Sequence, residues 1–220
     1  MRKFLLSILL TISLTIHGQW KIGVGIGPSI NLYPYQERDL LFASFLSTCD
    51  VIFEDKASWG ISTGVYGQYD FNEYIGVRVD FNWTQKNIYR GYKNTNVHVV
   101  NKTTNNYLQL PIMATGGICL GRFKLYLNAG LYGAYWISSS VNSNMEISDV
   151  KGINNAYDNR FDIGLVGGVG CGYYLSNSLS VQIVTHCYFS TVSTKKEING
   201  IQNPRYNLTW VIQPSLCYSF

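Results

Sequence analysis

From Ile75 to Trp83 the chain alternates without a break, with Ile75, Val77, Val79, Phe81 and Trp83 at one parity and Gly76, Arg78, Asp80 and Asn82 at the other. Successive side chains of an extended strand point to opposite faces, so one face of this segment is wholly apolar and the other carries charge and glycine. A helix would scatter the same residues around its circumference. The period-two pattern returns in seven other segments, whereas no stretch after residue 18 repeats apolar residues at helical spacing over a useful length.

Near the start, Trp20, Ile22, Val24, Ile26, Ile30 and Leu32 oppose Lys21, Gly23, Gly25, Gly27, Ser29 and Asn31. From 59 to 71, Trp59, Ile61, Val65, Tyr69 and Phe71 oppose Gly60, Ser62, Gly64, Tyr66, Gln68 and Asp70; from 107 to 113, Leu108, Leu110 and Ile112 oppose Tyr107, Gln109 and Pro111. In the second half, Phe123, Leu125, Leu127, Leu131 and Tyr135 oppose Lys124, Tyr126, Asn128, Gly130 and Tyr132. Phe161, Ile163, Leu165, Val169 and Tyr173 oppose Arg160, Asp162, Gly164, Gly168, Gly170 and Gly172. Leu179, Val181, Ile183 and Phe189 oppose Ser180, Gln182, His186 and Tyr188, and Leu208, Trp210, Ile212, Leu216, Tyr218 and Phe220 oppose Thr209, Gln213, Ser215 and Ser219. The expectation is eight strands of roughly 9 to 14 residues, and about 9 to 11 tilted residues cross a bilayer. The connections alternate in length: short at Asn72-Glu73, 116–122 and 175–178, long and polar near 33–58, 87–106, 139–158 and 191–206. Short periplasmic turns and long outer loops are the habit of outer-membrane barrels.

A soluble barrel would hide the apolar face, so the ends of that face decide between the two. Aromatics sit there: Trp59, Trp83, Tyr135, Phe161, Phe189 and Trp210 at the expected outer rim, and Trp20, Phe71, Phe123, Tyr173 and Phe220 at the periplasmic rim. Aromatic girdles around an aliphatic belt belong where rings meet lipid headgroups. Unpaired backbone groups are too costly in lipid for an open edge, so the first and last strands should pair. The fold expected is therefore all-β, an eight-stranded antiparallel transmembrane β-barrel of outer-membrane type.

The barrel occupies residues 19–220 in this reading, because residues 1–18 have the form of a cleaved signal peptide. Arg2 and Lys3 precede an apolar run from Phe4 to Ile16, too short for a membrane helix, and Gly18 follows. Lys and Arg number 17 against 13 Asp and Glu, and the leader takes two of the cations with it. A near-neutral chain gives no case for nucleic-acid binding. Charged residues make up only 14% of the chain while Tyr alone contributes 17 residues, a balance suited to a surface partly solvated by lipid. Cys49, Cys119, Cys171, Cys187 and Cys217 are odd in number and widely spaced, which makes neither a disulfide framework nor a zinc site. They read as free thiols acting as small apolar residues.

Tyr107-Leu108-Gln109-Leu110-Pro111-Ile112, Asn159-Arg160-Phe161-Asp162-Ile163-Gly164-Leu165, the glycine-rich stretch from Gly167 to Gly172 and the terminal Phe220 resemble the PorT-like outer-membrane β-barrel proteins, also called porin family proteins of Bacteroidetes type. The resemblance spans the mature chain. It implies insertion by the barrel-assembly machinery with Phe220 as the recognition signal, and a link to gliding and protein secretion. Many such proteins carry an acid after the Tyr-Leu pair, and this chain has Gln109 there, so no role of that acid carries over.

Arg78, Asp80, Lys124, Arg160, Asp162 and His186 have lumen parity. Charges inside a small barrel need partners, and cross-strand ion pairs filling the lumen are the expected arrangement. A narrow polar path or small-ligand pocket is the functional alternative. His186 and Ser190 share a face and invite comparison with lipid-modifying hydrolases, but four residues along a strand separate their Cα atoms by roughly 13 Å. A nucleophile needs its base within hydrogen-bond reach, so no catalytic residue, cofactor or metal is assigned. The glycine-rich runs open no helix and are not phosphate loops. Chance accounts for the triplet Asn101-Lys102-Thr103. In the long first loop, Leu40, Leu41, Phe42, Phe45 and Leu46 suit a plug over the barrel mouth or a surface for a protein partner. Lipid is the other partner expected.

Overall fold

The computed structural model describes residues 18–32, 52–93, 98–143, 159–193 and 206–220. The leader apart from Gly18, the apolar stretch 40–46, Cys49 and most of the long outer connections lie outside the described residues. The described chain is nine strands: β1 (Gln19–Leu32), β2 (Ile52–Asp70), β3 (Ile75–Gln85), β4 (Ile88–Lys93), β5 (His98–Leu120), β6 (Phe123–Ser143), β7 (Phe161–Tyr174), β8 (Leu179–Ser190) and β9 (Leu208–Ser219). All neighbours are antiparallel, and β1 pairs with both β2 and β9, so the sheet closes. Since β3 and β4 share the same two neighbours, β2 and β5, they are two pieces of one staff and the barrel has eight.

Register fixes the barrel's shape. Starting at Lys21, paired residues run through Gln68, Arg78, Met113, Gly130, Val166, Tyr188 and Thr209 and return to β1 at Asn31, ten residues beyond the start. That stagger sets a strand tilt of about 40° and a backbone diameter of about 16 Å.

Between Ser62↔Thr84 and Ala57↔Ile88, β2 has one residue more than its partner, a bulge that coincides with the break after β3. Local bonds satisfy the disturbed backbone. The Ser29 hydroxyl donates to the Gln85 carbonyl at 2.6 Å, the Asn87 amide to the Trp59 carbonyl at 2.6 Å, and the Lys86 N–H to the Asn105 carbonyl at 2.8 Å.

Burial is inverted relative to a soluble protein: Arg78 and Asp162 are 0% exposed, while Leu127 is 64% and Ile26 61% exposed. The parity assigned from the sequence holds through every bilayer-spanning segment. Strand lengths differ. Residues 88–93 and 98–106, expected in a loop, continue the wall, and β2 and β6 also reach beyond their expected outer ends. Only at hydrocarbon height must one face be apolar, so Thr103, Thr104, Asn105 and Asn106 extend β5 with no alternating signal to reveal it. At the periplasmic end the expected 116–122 connection shrinks to Gly121-Arg122, with Gly121 at φ 64°, where a side chain would be strained.

Candidate functional site: the barrel lumen

Inward parity and small inward residues fill the lumen together. Seen from above, Gly23 leaves the space that the Tyr66 ring takes, Gly170 the space of the Tyr126 ring and Gly168 that of the His186 imidazole. Charged groups lie at three heights between these rings.

At the periplasmic level Asp70 accepts from Lys21 at 2.9 Å and from Lys124 at 3.1 Å, with the Gln68 amide on its other oxygen at 2.5 Å. Lys21 also reaches the Tyr174 hydroxyl at 3.1 Å. At the middle level the Arg78 guanidinium grips Asp80 through two bonds of 2.7 and 3.1 Å and lies 3.6 Å over the Tyr66 ring. The Tyr66 and Tyr126 hydroxyls both donate to Gln182 at 3.1 Å, and His186 lies 3.2 Å from the Asn128 amide. At the outer level Asp162 accepts from Lys86 at 2.6 Å, from the Tyr132 hydroxyl at 3.0 Å and from the Asn207 amide at 3.0 Å. The ammonium of Lys86 also faces the rings of Tyr107 and Tyr132, at 4.6 and 5.3 Å.

The two end levels span the lumen, since Lys124 and Asp70 lie on β6 and β2, and Lys86 and Asp162 on the β3–β4 junction and β7. The middle pair belongs to β3 alone. Such pairs answer the cost of burying charge only when their remaining atoms are also bonded, and the end levels largely meet that condition.

Of the residues singled out from the sequence, Arg78, Asp80, Lys124, Asp162 and His186 lie in this network. Arg160 does not join them. It precedes the first residue of β7 and points out to the Tyr135 hydroxyl at 3.4 Å, because the parity argument has no hold beyond the last rung. Lys21, Asp70 and Lys86 were missed as network members. Their parity is legible, since Lys86 continues the inward series 76 to 84, but it stands directly before the polar stretch 87–106 expected as a loop. The Ser190 hydroxyl donates to the Val192 carbonyl at 2.7 Å while His186 meets Asn128. Among the described residues no group of three His, Cys, Asp or Glu is placed to hold a metal.

The outward aromatics form both rims. Trp20 packs on Tyr69 at 4.8 Å, Tyr69 on Phe71 at 5.3 Å and Phe123 on Tyr173 at 4.9 Å near the periplasmic end, and Tyr135 on Phe161 at 5.3 Å near the outer end. Trp59, Phe189, Trp210 and Phe220 are exposed, and Trp83 is half-buried. Phe220 also donates its N–H to the Trp20 carbonyl at 3.0 Å, across the β1–β9 closure. The described cysteines are free: Cys119 and Cys171 exposed, Cys187 intermediate and Cys217 buried.

A closed barrel with an apolar outer surface, two aromatic rims and an ion-paired interior is a transmembrane barrel of the bacterial outer membrane. The chain matches the family described as outer membrane protein beta-barrel domain over residues 17–190, and it belongs to that family. Its place is accordingly the outer membrane. Among solved structures it is similar to Neisserial surface protein A, with TM-score 0.52 and 14% identity over 91% of this chain and 97% of that one. It is also similar to Outer Membrane Protein W of E. coli (TM-score 0.45, 15% identity, 93% and 100% covered) and to Ail, the attachment invasion locus protein of Yersinia pestis (0.43, 13%, 92% and 99%). At 14% identity the likeness to Neisserial surface protein A speaks for fold alone. No curated protein sequence matches the chain.

Proposed function

We propose that this barrel is plugged and serves a structural or protein-interaction role in the outer membrane, without catalysis and without a diffusion pore. The closure of the lumen at three heights carries the reading: Asp70, Asp80 and Asp162 each take up buried cations, and rings occupy the space above the inward glycines. An interior of this strand number is just wide enough for its own side chains. Resemblance to PorT-like barrels supports a finer version, an accessory component of a secretion or gliding machinery that meets its protein partner through the outer loops and is inserted by the barrel-assembly machinery reading Phe220. In planar bilayers the purified protein is expected to give no stepwise current. Reproducible ion currents would overturn the plug.

One observation favours a second reading, a narrow transporter or small-ligand binder. Arg78 Nη1, His186 Nδ1, Asn128 Oδ1 and both amide atoms of Gln109 are buried with no hydrogen-bond partner among the described residues. Polar atoms in that state want a hydrogen-bonding guest. Uptake of small polar solutes into proteoliposomes, above that of protein-free vesicles, would favour this reading over the plug.

A further inference from the structure

Of the seams that close the wall, the one joining the first strand to the last is interrupted. Between β1 and β9, residues pair from Lys21↔Ser219 to Gly25↔Ser215 and again, in the same register, from Ser29↔Val211 to Leu32↔Leu208. The rungs between are missing, and two prolines account for the break. Phe220 donates its N–H to the Trp20 carbonyl, so the even-numbered residues of β1 and β9 turn their backbone groups to each other across this seam. Pro28 then has no N–H for the Ile212 carbonyl, and Pro214 none for the Ile26 carbonyl.

Both carbonyls flank the place where the register sets Gly27 opposite Gln213. That place lies at hydrocarbon height, between Trp20 at one rim and Trp59, the β2 partner of Ile30, at the other. An unmet backbone group is costly there. Pro111, the other proline within a described strand, disturbs the β3–β5 seam from one side only.

The lumen contacts leave the break untied. β9 carries no charged residue, and the ion pairs join Lys21 and Lys124 to Asp70 and Lys86 to Asp162. Gly25, Gly27, Ser29 and Ser215 put little bulk behind it. Gln213 covers it, lying against Gly25 and reaching the Asn82 amide oxygen at 3.5 Å. The seam is nevertheless held at its ends, by Thr209 donating to the Asn31 amide oxygen at 2.8 Å and by Phe220 on Trp20 at 3.0 Å. On the lipid side an apolar groove runs over the same rungs, lined by Val24 and Ile26 of β1 and Pro214 and Leu216 of β9.

We propose that this break is a lateral gate: β1 and β9 part between Gly25 and Ser29, Gln213 swings aside, and a single-chain amphiphile of the membrane enters the lumen through the wall. The groove beds its apolar chain, and the Ile26 and Ile212 carbonyls accept from a hydroxyl or amide on its head. Cys217, inward on β9 and 0% exposed, reports entry. In lipid vesicles the protein is treated with membrane-dissolved N-octylmaleimide or with a sulfonated, water-soluble maleimide, and the labelled cysteines are found by peptide mass mapping. The octyl reagent is expected to label Cys217 faster than the sulfonated one. Pro28→Val with Pro214→Val restores both N–H groups and should slow that labelling roughly tenfold or more, while Cys171, exposed on the lipid face, labels as in the wild type. Heat-dependent gel mobility reports whether the double variant is folded; should it not be, Pro28→Val alone gives the same comparison. Cys217 left unlabelled while Cys171 reacts, labelling as fast in the folded variant as in the wild type, or faster labelling by the sulfonated reagent would each overturn the gate. Ion currents along the barrel axis would not affect it, so it stands or falls apart from the plug.

Discussion

Asp162→Asn removes one charge from the outer level and leaves its shape. Lys86 then keeps a cation that is 0% exposed, with its former partner, 1% exposed, no longer anionic. Breaking a buried pair from one side costs about 3–5 kcal/mol. Two features argue for the lower end. The Lys86 ammonium retains the Tyr107 and Tyr132 rings, contacts worth about 0.5–2 kcal/mol, and the asparagine oxygen still accepts from Tyr132 or Asn207. The expected loss is about 3 kcal/mol, a drop of roughly a hundredfold in the folding equilibrium. Lys86→Met alone leaves a carboxylate that keeps two donors, and should cost about 2 kcal/mol. The double variant has no buried charge at this level and should lose only about 1 kcal/mol, far from additive. Reversible urea unfolding in lipid vesicles, followed by tryptophan fluorescence, measures all three. If Asp162→Asn stays within about 1 kcal/mol of wild type, or the two substitutions add, both groups reach water and the outer level is open rather than sealed.

Three other outcomes follow from the same structure. Gly23→Leu puts a side chain into the seat of the Tyr66 ring, and should cost about 1–3 kcal/mol by the same titration. Gly121→Val forces a β-branched residue to φ 64° in the periplasmic turn, with an expected cost of about 1–2 kcal/mol. Deleting Phe220 should lower the heat-resistant folded fraction in the outer membrane severalfold, while the refolded variant loses no more than about 1.5 kcal/mol, the worth of its bond to Trp20. Normal assembly of the deletion in cells would dispose of the recognition role.

The barrel was readable because lipid imposes a rule on every rung it touches. Ile75 to Trp83 gave face and register parity, and Phe123 and Phe161 marked opposite rims. Where the rule lapses, so does the reading: Thr103 to Asn106 are all polar, whether buried like Asn105 or half-exposed like Asn106, and carry strand without apolar alternation. The lumen charges were visible by parity, but their pairing was not. Nothing in the sequence ties Lys86 to Asp162 or Lys124 to Asp70, since each contact depends on a stagger that only the whole closed sheet defines. Arg160 shows the converse, a residue of the right parity one step past the end of the wall.

The location of each ion pair has a consequence for assembly. Arg78 and Asp80 stand two residues apart on one strand, so they can neutralise each other as soon as that strand is extended, with almost no loop entropy to overcome. Lys124 with Asp70, and Lys86 with Asp162, can meet only once opposite walls face each other. The first pair lets β3 approach the membrane as a nearly neutral ribbon. The other two act as latches, withholding their stabilisation until the cylinder shuts.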